Sequence, residues 1–168
     1  RQRQVVNRHR LTNVATNGGA INGNTAHDLL IANATSGGGA ITINGTAANV
    51  DLIAGNINAG SGNVSLISNS AGGTVQDDGS VLTRITGNTV TLQGAGGVGS
   101  ALMAMQTTAS TLALSDAAGG VGIYVNDNNT NGLTLSSVTA GGGAIVINAA
   151  GPLTATSVAA TADSVGNN

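Results

Sequence analysis

Asp77 and Asp78, with Arg84 close behind in the stretch GGTVQDDGSVLTRITG, are the first place to look for chemistry. Paired carboxylates do acid/base work on glycosidic bonds, so a polysaccharide-processing enzyme is the reaction class to test. Adjacent strand residues face opposite sides, however, and no His or third carboxylate stands nearby in sequence. Asp77-Asp78-Gly79 reads as a turn. The expectation is no catalytic residue and no enzyme.

Cation binding is the second chemistry to weigh. Asp127, Asn129 and Asn131 match the first half of a D-x-N-x-N-G calcium loop, but Val138 stands where its closing acid belongs. The GGVG segments at 96–99 and 119–122 open like a calcium-binding nonapeptide, yet Ala101 and Tyr124 occupy the Asp position. An incomplete calcium loop at Asp127, Asn129 and Asn131 is the one metal candidate, and no cofactor is expected. His9 and His27 are the only histidines, and with no Cys they give a transition-metal site little support.

Charge is concentrated at the start. Arg1, Arg3, Arg8 and Arg10 lie in RQRQVVNRHR, whereas residues 11–168 hold one Arg against seven Asp. Residues 1–10 therefore read as a basic arm or linker and residues 11–168 as the folded unit. A basic arm on an acidic body suggests end-to-end complementarity between copies of the chain, with the four Arg as assembly residues. The basic patch is too small, and too poor in aromatics, for nucleic-acid binding. No apolar run reaches the roughly 20 residues of a spanning helix, so no membrane insertion is expected. A chain starting at Arg1 reads as processed or excised.

The elements that must position these residues follow from composition. Of 168 residues, 27 are Gly, 26 Ala, 20 Asn, 20 Thr and 13 Ser, while Tyr124 is the lone aromatic. Mean hydropathy is +0.20 and net charge only -2, the opposite of a disordered chain. Gly, Asn and β-branched residues disfavour helix, which leaves strands and turns.

Short alternations recur along the chain: Ile41-Thr42-Ile43, Val64-Ser65-Leu66, Val90-Thr91-Leu92, Leu112-Ala113-Leu114, Ile123-Tyr124-Val125 and Leu133-Thr134-Leu135. Period two buries the outer pair and exposes the middle residue. Weaker apolar spots at Val75, Leu82 and Leu102 subdivide the long gaps, giving a strand about every 11 residues, with Gly-rich turns between. GGGAITING at 37–45 returns as GGGAIVINA at 141–149, and AGGVGS at 95–100 as AGGVGI at 118–123. Such repetition indicates a solenoid. Two strand units make one coil, so the chain is expected to form a parallel β-helix of about seven coils, roughly 35 Å long at the spacing of stacked strands.

Asn44, Asn58, Asn69, Asn88 and Asn148 are candidates for stacked amide ladders, although turn propensity explains them equally well. Thr42, Ser65, Thr91, Ala113 and Thr134 could stack into one outward column, as an ice-binding solenoid would require; ordinary β-propensity of Thr also accounts for them. Neither terminus resembles an amphipathic cap, and uncapped parallel edges recruit other chains. Stacking on copies of itself, or on flanking repeats of a longer chain, is the expected partnership.

GNINAGSGNVSLIS (55–68), GNTVTLQGAGGVGS (87–100) and NGLTLSSVTAGGGAIVINAAGPL (131–153) resemble the repeats of filamentous-haemagglutinin-like adhesins and related bacterial "beta strand repeat" surface proteins. The resemblance covers roughly residues 11–160. It implies a right-handed β-helix, export to the cell surface, and a role as adhesin stalk, extracellular filament or biofilm matrix fibre, with host or matrix glycans as further partners. It carries over no active-site residues.

Overall fold

The computed structural model describes residues 9–117 and 119–161, which form strands and turns with no helix among them. The strands stack as a parallel β-solenoid of about seven turns. His9–Leu11, Val14–Ala15 and Ile21–Thr25 make the first coil, Leu29–Thr35 and Ile41–Gly45 the second, and Asp51–Asn58 and Val64–Ser68 the third. Thr74–Asp77 and Ile85–Gly94 make the fourth, Gly97–Val98 and Met105–Ser115 the fifth, and Gly122–Asp127 and Leu133–Ala140 the sixth. Ala144–Ala149, Leu153–Ala155 and Val158–Ala160 complete the seventh. The first strand begins at His9, so His9 and Arg10 belong to the first rung rather than to an arm. Arg1, Arg3 and Arg8 lie outside the described residues.

Alternation builds the core. Ile41, Ile43, Val64, Leu66, Val90, Leu92, Leu112 and Leu114 all point inward and are buried, while Thr42, Ser65, Thr91 and Ala113 between them face out. Register carries one coil's column onto the next. Gly23 pairs with Ile43, Ile43 with Leu66, Leu66 with Leu92, Leu92 with Leu114, Leu114 with Val138 and Val138 with Val158. Aliphatic side chains fill a column this narrow, and the buried hydrophobic residues include no aromatic.

Three expectations change in detail. Val75 lies in a strand, but Leu82 and Leu102 do not: they are loop tips, 85% and 96% exposed. Neither residue belongs to a strand paired with a neighbouring coil. Thr134 leaves the expected column, because its strand runs in a register that sets it opposite Thr111, two positions before Ala113; an extra residue, Ser136, then bulges between Leu135 and Ser137. Ser137, not Thr134, therefore stacks on Ala113, while Thr134 falls between Thr111 and Thr154. The two GGGAI copies also occupy different sides of the solenoid, since Ile41 pairs with Ile21 and Val64 whereas Ile145 pairs with Ile123. A glycine corner followed by a strand is a local device usable at more than one corner.

Amide ladders form at some candidate positions. Asn44 donates to Asn24 at 3.1 Å, Asn69 to Gln93 at 2.9 Å and Asn148 to Asn126 at 2.8 Å. A further ladder runs from Asn56 to Asn33 and from Asn33 to Asn13. Asn58 instead accepts the Gly60 N–H in a turn, and Asn88 donates its backbone N–H to Gly62.

The corner glycines are a packing requirement. Gly39 sits over Gly19 and Gly62 over Gly39 so closely that a Cβ on Gly62 would lie 2.7 Å from the Gly38 carbonyl oxygen. A Cβ on Gly19, in the first coil, would meet nothing nearer than 3.7 Å. Gly62→Ala is therefore expected to lower unfolding stability by about 1–3 kcal/mol, as overpacked sites do. Gly19→Ala should be neutral or stabilising by about 0.5 kcal/mol through the unfolded chain. Urea unfolding of both variants measures the contrast, and equal losses would show that coil contact does not set the cost.

Candidate functional site

Both sequence-read carboxylate clusters serve the corners. Asp77 ends its strand with a buried side chain, one oxygen of which accepts the backbone N–H of Gly79 at 2.8 Å. Asp78 faces the other way, as alternation requires, and accepts the Ser80 N–H and the Thr83 hydroxyl, the latter at 2.6 Å. The pair thus ties down the 78–84 loop, and Arg84 closes it by accepting the Ile57 N–H on its backbone carbonyl.

Asp127 is 3% exposed. One of its oxygens accepts the Thr107 hydroxyl at 2.8 Å and the Ala109 N–H at 2.9 Å, and the other accepts the Asn129 N–H. Asn129 in turn accepts the Asn131 N–H and donates to the carbonyls of Ala109 and Gly132. The three candidate calcium ligands therefore share one turn, with Asp127 and Asn129 engaged by the protein's own backbone and by Thr107. Asp116, unremarked in the sequence, does similar work at another corner by accepting the N–H groups of Gly122 and Gly141. Nothing in its local sequence marks it, because its partners arrive from later coils.

The fold brings the two histidines together: His9 and His27 stand on the first two coils with ring centroids 5.0 Å apart. No group of three His, Cys, Asp or Glu converges on a metal position among the described residues. Arg10 is exposed on the first rung beside Leu30.

A groove interrupts the rod on the side carrying Tyr124. The fourth and fifth coils each insert a loop, 78–84 and 99–104, at the same corner, between strands that otherwise follow each other directly. Val81, Leu102 and Met103 wall a hollow of about 290 Å³ whose floor is the outward face of the neighbouring strands. On that floor Tyr124 pairs with Val146, Asn126 with Asn148, and Gln106 with Asn126. The signal in the sequence was the pair of long gaps between strong alternations, read there as further strands.

The chain matches no protein-family model, and comparisons with curated proteins and with solved structures likewise find no match.

Burial pushes the Asp77 carboxyl above its ordinary value of 3.8; the Asp78 charge adds to this, and nearby backbone N–H groups oppose it. The folded chain thus holds this proton to higher pH than the unfolded chain. Its contribution to stability is full below 3.8 and is lost as pH rises through the folded value. Asp77→Asn is expected to remove that component, so the stability difference between the parent and the variant should move against the parent as pH rises through this window. Urea unfolding at a series of pH values measures it; the opposite slope would mean that the N–H bonds outweigh burial.

Proposed function

We propose that this chain is a structural β-solenoid unit of an extracellular bacterial adhesin stalk, or of a self-assembling filament or matrix fibre, in which coils of one unit stack on those of the next. The observation that carries this reading is the state of the two ends. In the seventh coil Leu153 and Val158, which continue inward columns, are 49% and 48% exposed. In the first coil Gly23 occupies the position that Ile43 and Leu66 fill further along the same column. A hollow of about 500 Å³ opens there, lined by Leu11, Leu29 and Ile43 among others. A second copy placed in register would set its Val158 over this Gly23. Such a head-to-tail contact is heterologous, and without closure it propagates as a fibre.

The enzyme alternative has less support, since both carboxylates of the Asp77-Asp78 pair are used in holding a loop. Sizing by light scattering, with electron microscopy of the same sample, tests the proposal. Species that lengthen with concentration are expected, and Val158→Asp should return them to single units. A parent chain that stays sharply monomeric at every concentration would overturn it.

Ice binding is the second reading, favoured by a column of threonines. Thr89, Thr111, Thr134 and Thr154 stack in consecutive rungs and face outward. It requires thermal hysteresis that Thr134→Arg abolishes, and a parent chain that leaves ice growth unaltered removes it.

A further inference from the structure

The groove beside the inserted loops has a chemistry of its own, independent of whether units stack into fibres. Tyr124 is the only aromatic side chain among 168 residues, and the solenoid places it outward rather than in the core. An aromatic ring held half-buried on a flat strand offers one apolar face to a ligand. Beside it runs a row of amides, Gln106, Asn126 and Asn148, one from each of three successive rungs. Stacked rungs repeat at about 4.8 Å, so the row presents amide groups at regular intervals along the solenoid axis.

Each amide carries two N–H donors and two acceptor lone pairs. The bond from Asn148 to Asn126 consumes one of each, and Gln106 spends one N–H on the Ala104 carbonyl at 3.1 Å. Both kinds of capacity remain. Paired donor and acceptor capacity suits hydroxyl groups, which both donate and accept. The lining contains no Arg, Lys or His, so nothing there neutralises an anion. Its one charged residue, Asp77, is buried and accepts the Gly79 N–H, so it offers little to a cation.

We propose that the groove floored by Tyr124, Gln106, Asn126 and Asn148 is a binding site for a neutral polysaccharide lying along the solenoid axis. A sugar ring stacks its C–H face on Tyr124, and its hydroxyls exchange hydrogen bonds with the amide row. Val81, Leu102 and Met103 shield one flank from water. An apolar peptide is the competing occupant, and it would use the loop tips rather than the amides.

The lone tyrosine supplies the assay. With no Trp in the chain, intrinsic emission comes from Tyr124 alone and reports this groove directly. The full chain is applied to an array of neutral and anionic glycans, and the best neutral oligosaccharide is titrated against tyrosine emission. Capture of neutral glycans, a saturable emission change, and at least tenfold weaker binding by Asn126→Leu and Tyr124→Leu are expected, the latter read by calorimetry. Thr91→Ala, outward on a strand row away from the groove, should change affinity less than threefold. If Tyr124→Leu does not fold, Asn126→Leu, on the solvent side of its strand, decides alone. Capture of no neutral glycan, or of anionic glycans only, overturns the proposal, as does glycan binding that leaves emission unchanged. Preference for an apolar peptide, lost in Leu102→Asp, assigns the groove to the competing occupant. A chain that binds glycan yet stays monomeric would separate this site from the assembly reading.

Discussion

Every backbone strand group in this protein looks for its partner one coil away, and that constraint governs the rest. Parallel pairing between successive coils, as from Leu29 to Leu52 or Thr91 to Ala113, holds neighbouring rungs at the strand spacing. At that spacing a corner has room for Gly and little else, which is why Gly39 and Gly62 sit against the carbonyls of the coil before. The same spacing keeps the interior thin, so aliphatic columns fill it and the single aromatic side chain is left outside.

Corners are where the regular pairing stops, and buried carboxylates take over there. Asp77, Asp116 and Asp127 each accept N–H groups at a corner, and Asp116 and Asp127 reach a neighbouring coil. A buried donor left without a partner costs about 1–3 kcal/mol. An acid that meets two or three of them is thus a structural device, and its burial says more about corners than about catalysis. Few charged residues are available to the chain, and three of its seven Asp are spent in this way.

Irregularity gives the rod its individual surface. Two adjacent coils lengthen at one corner, and their loops raise a wall beside Tyr124 and the amide row. One added residue, Ser136, shifts register past Leu112, so that Ser137 rather than Ser136 stacks on Ala113. Neither feature strengthens the core. Both change what the outside can meet, on a scaffold whose inward columns continue past them undisturbed.

Alternation at Ile41-Thr42-Ile43 or Val90-Thr91-Leu92 was enough to determine strands, their buried faces and a stacked architecture, because period two is a local property. Which residues become neighbours across coils was not local. Leu82 and Leu102 carry the same apolar character as core residues, and only the absence of a paired strand sends them to loop tips. Identical GGGAI motifs went to different sides, and Asp116 gained its role from Gly122 in the next coil and from Gly141, 25 residues away. Local pattern thus specified the kind of rung and its small-residue corners. Tertiary structure alone decided how rungs align, since register depends on the length of each intervening corner and its insertions, and with that alignment came the groove at Tyr124.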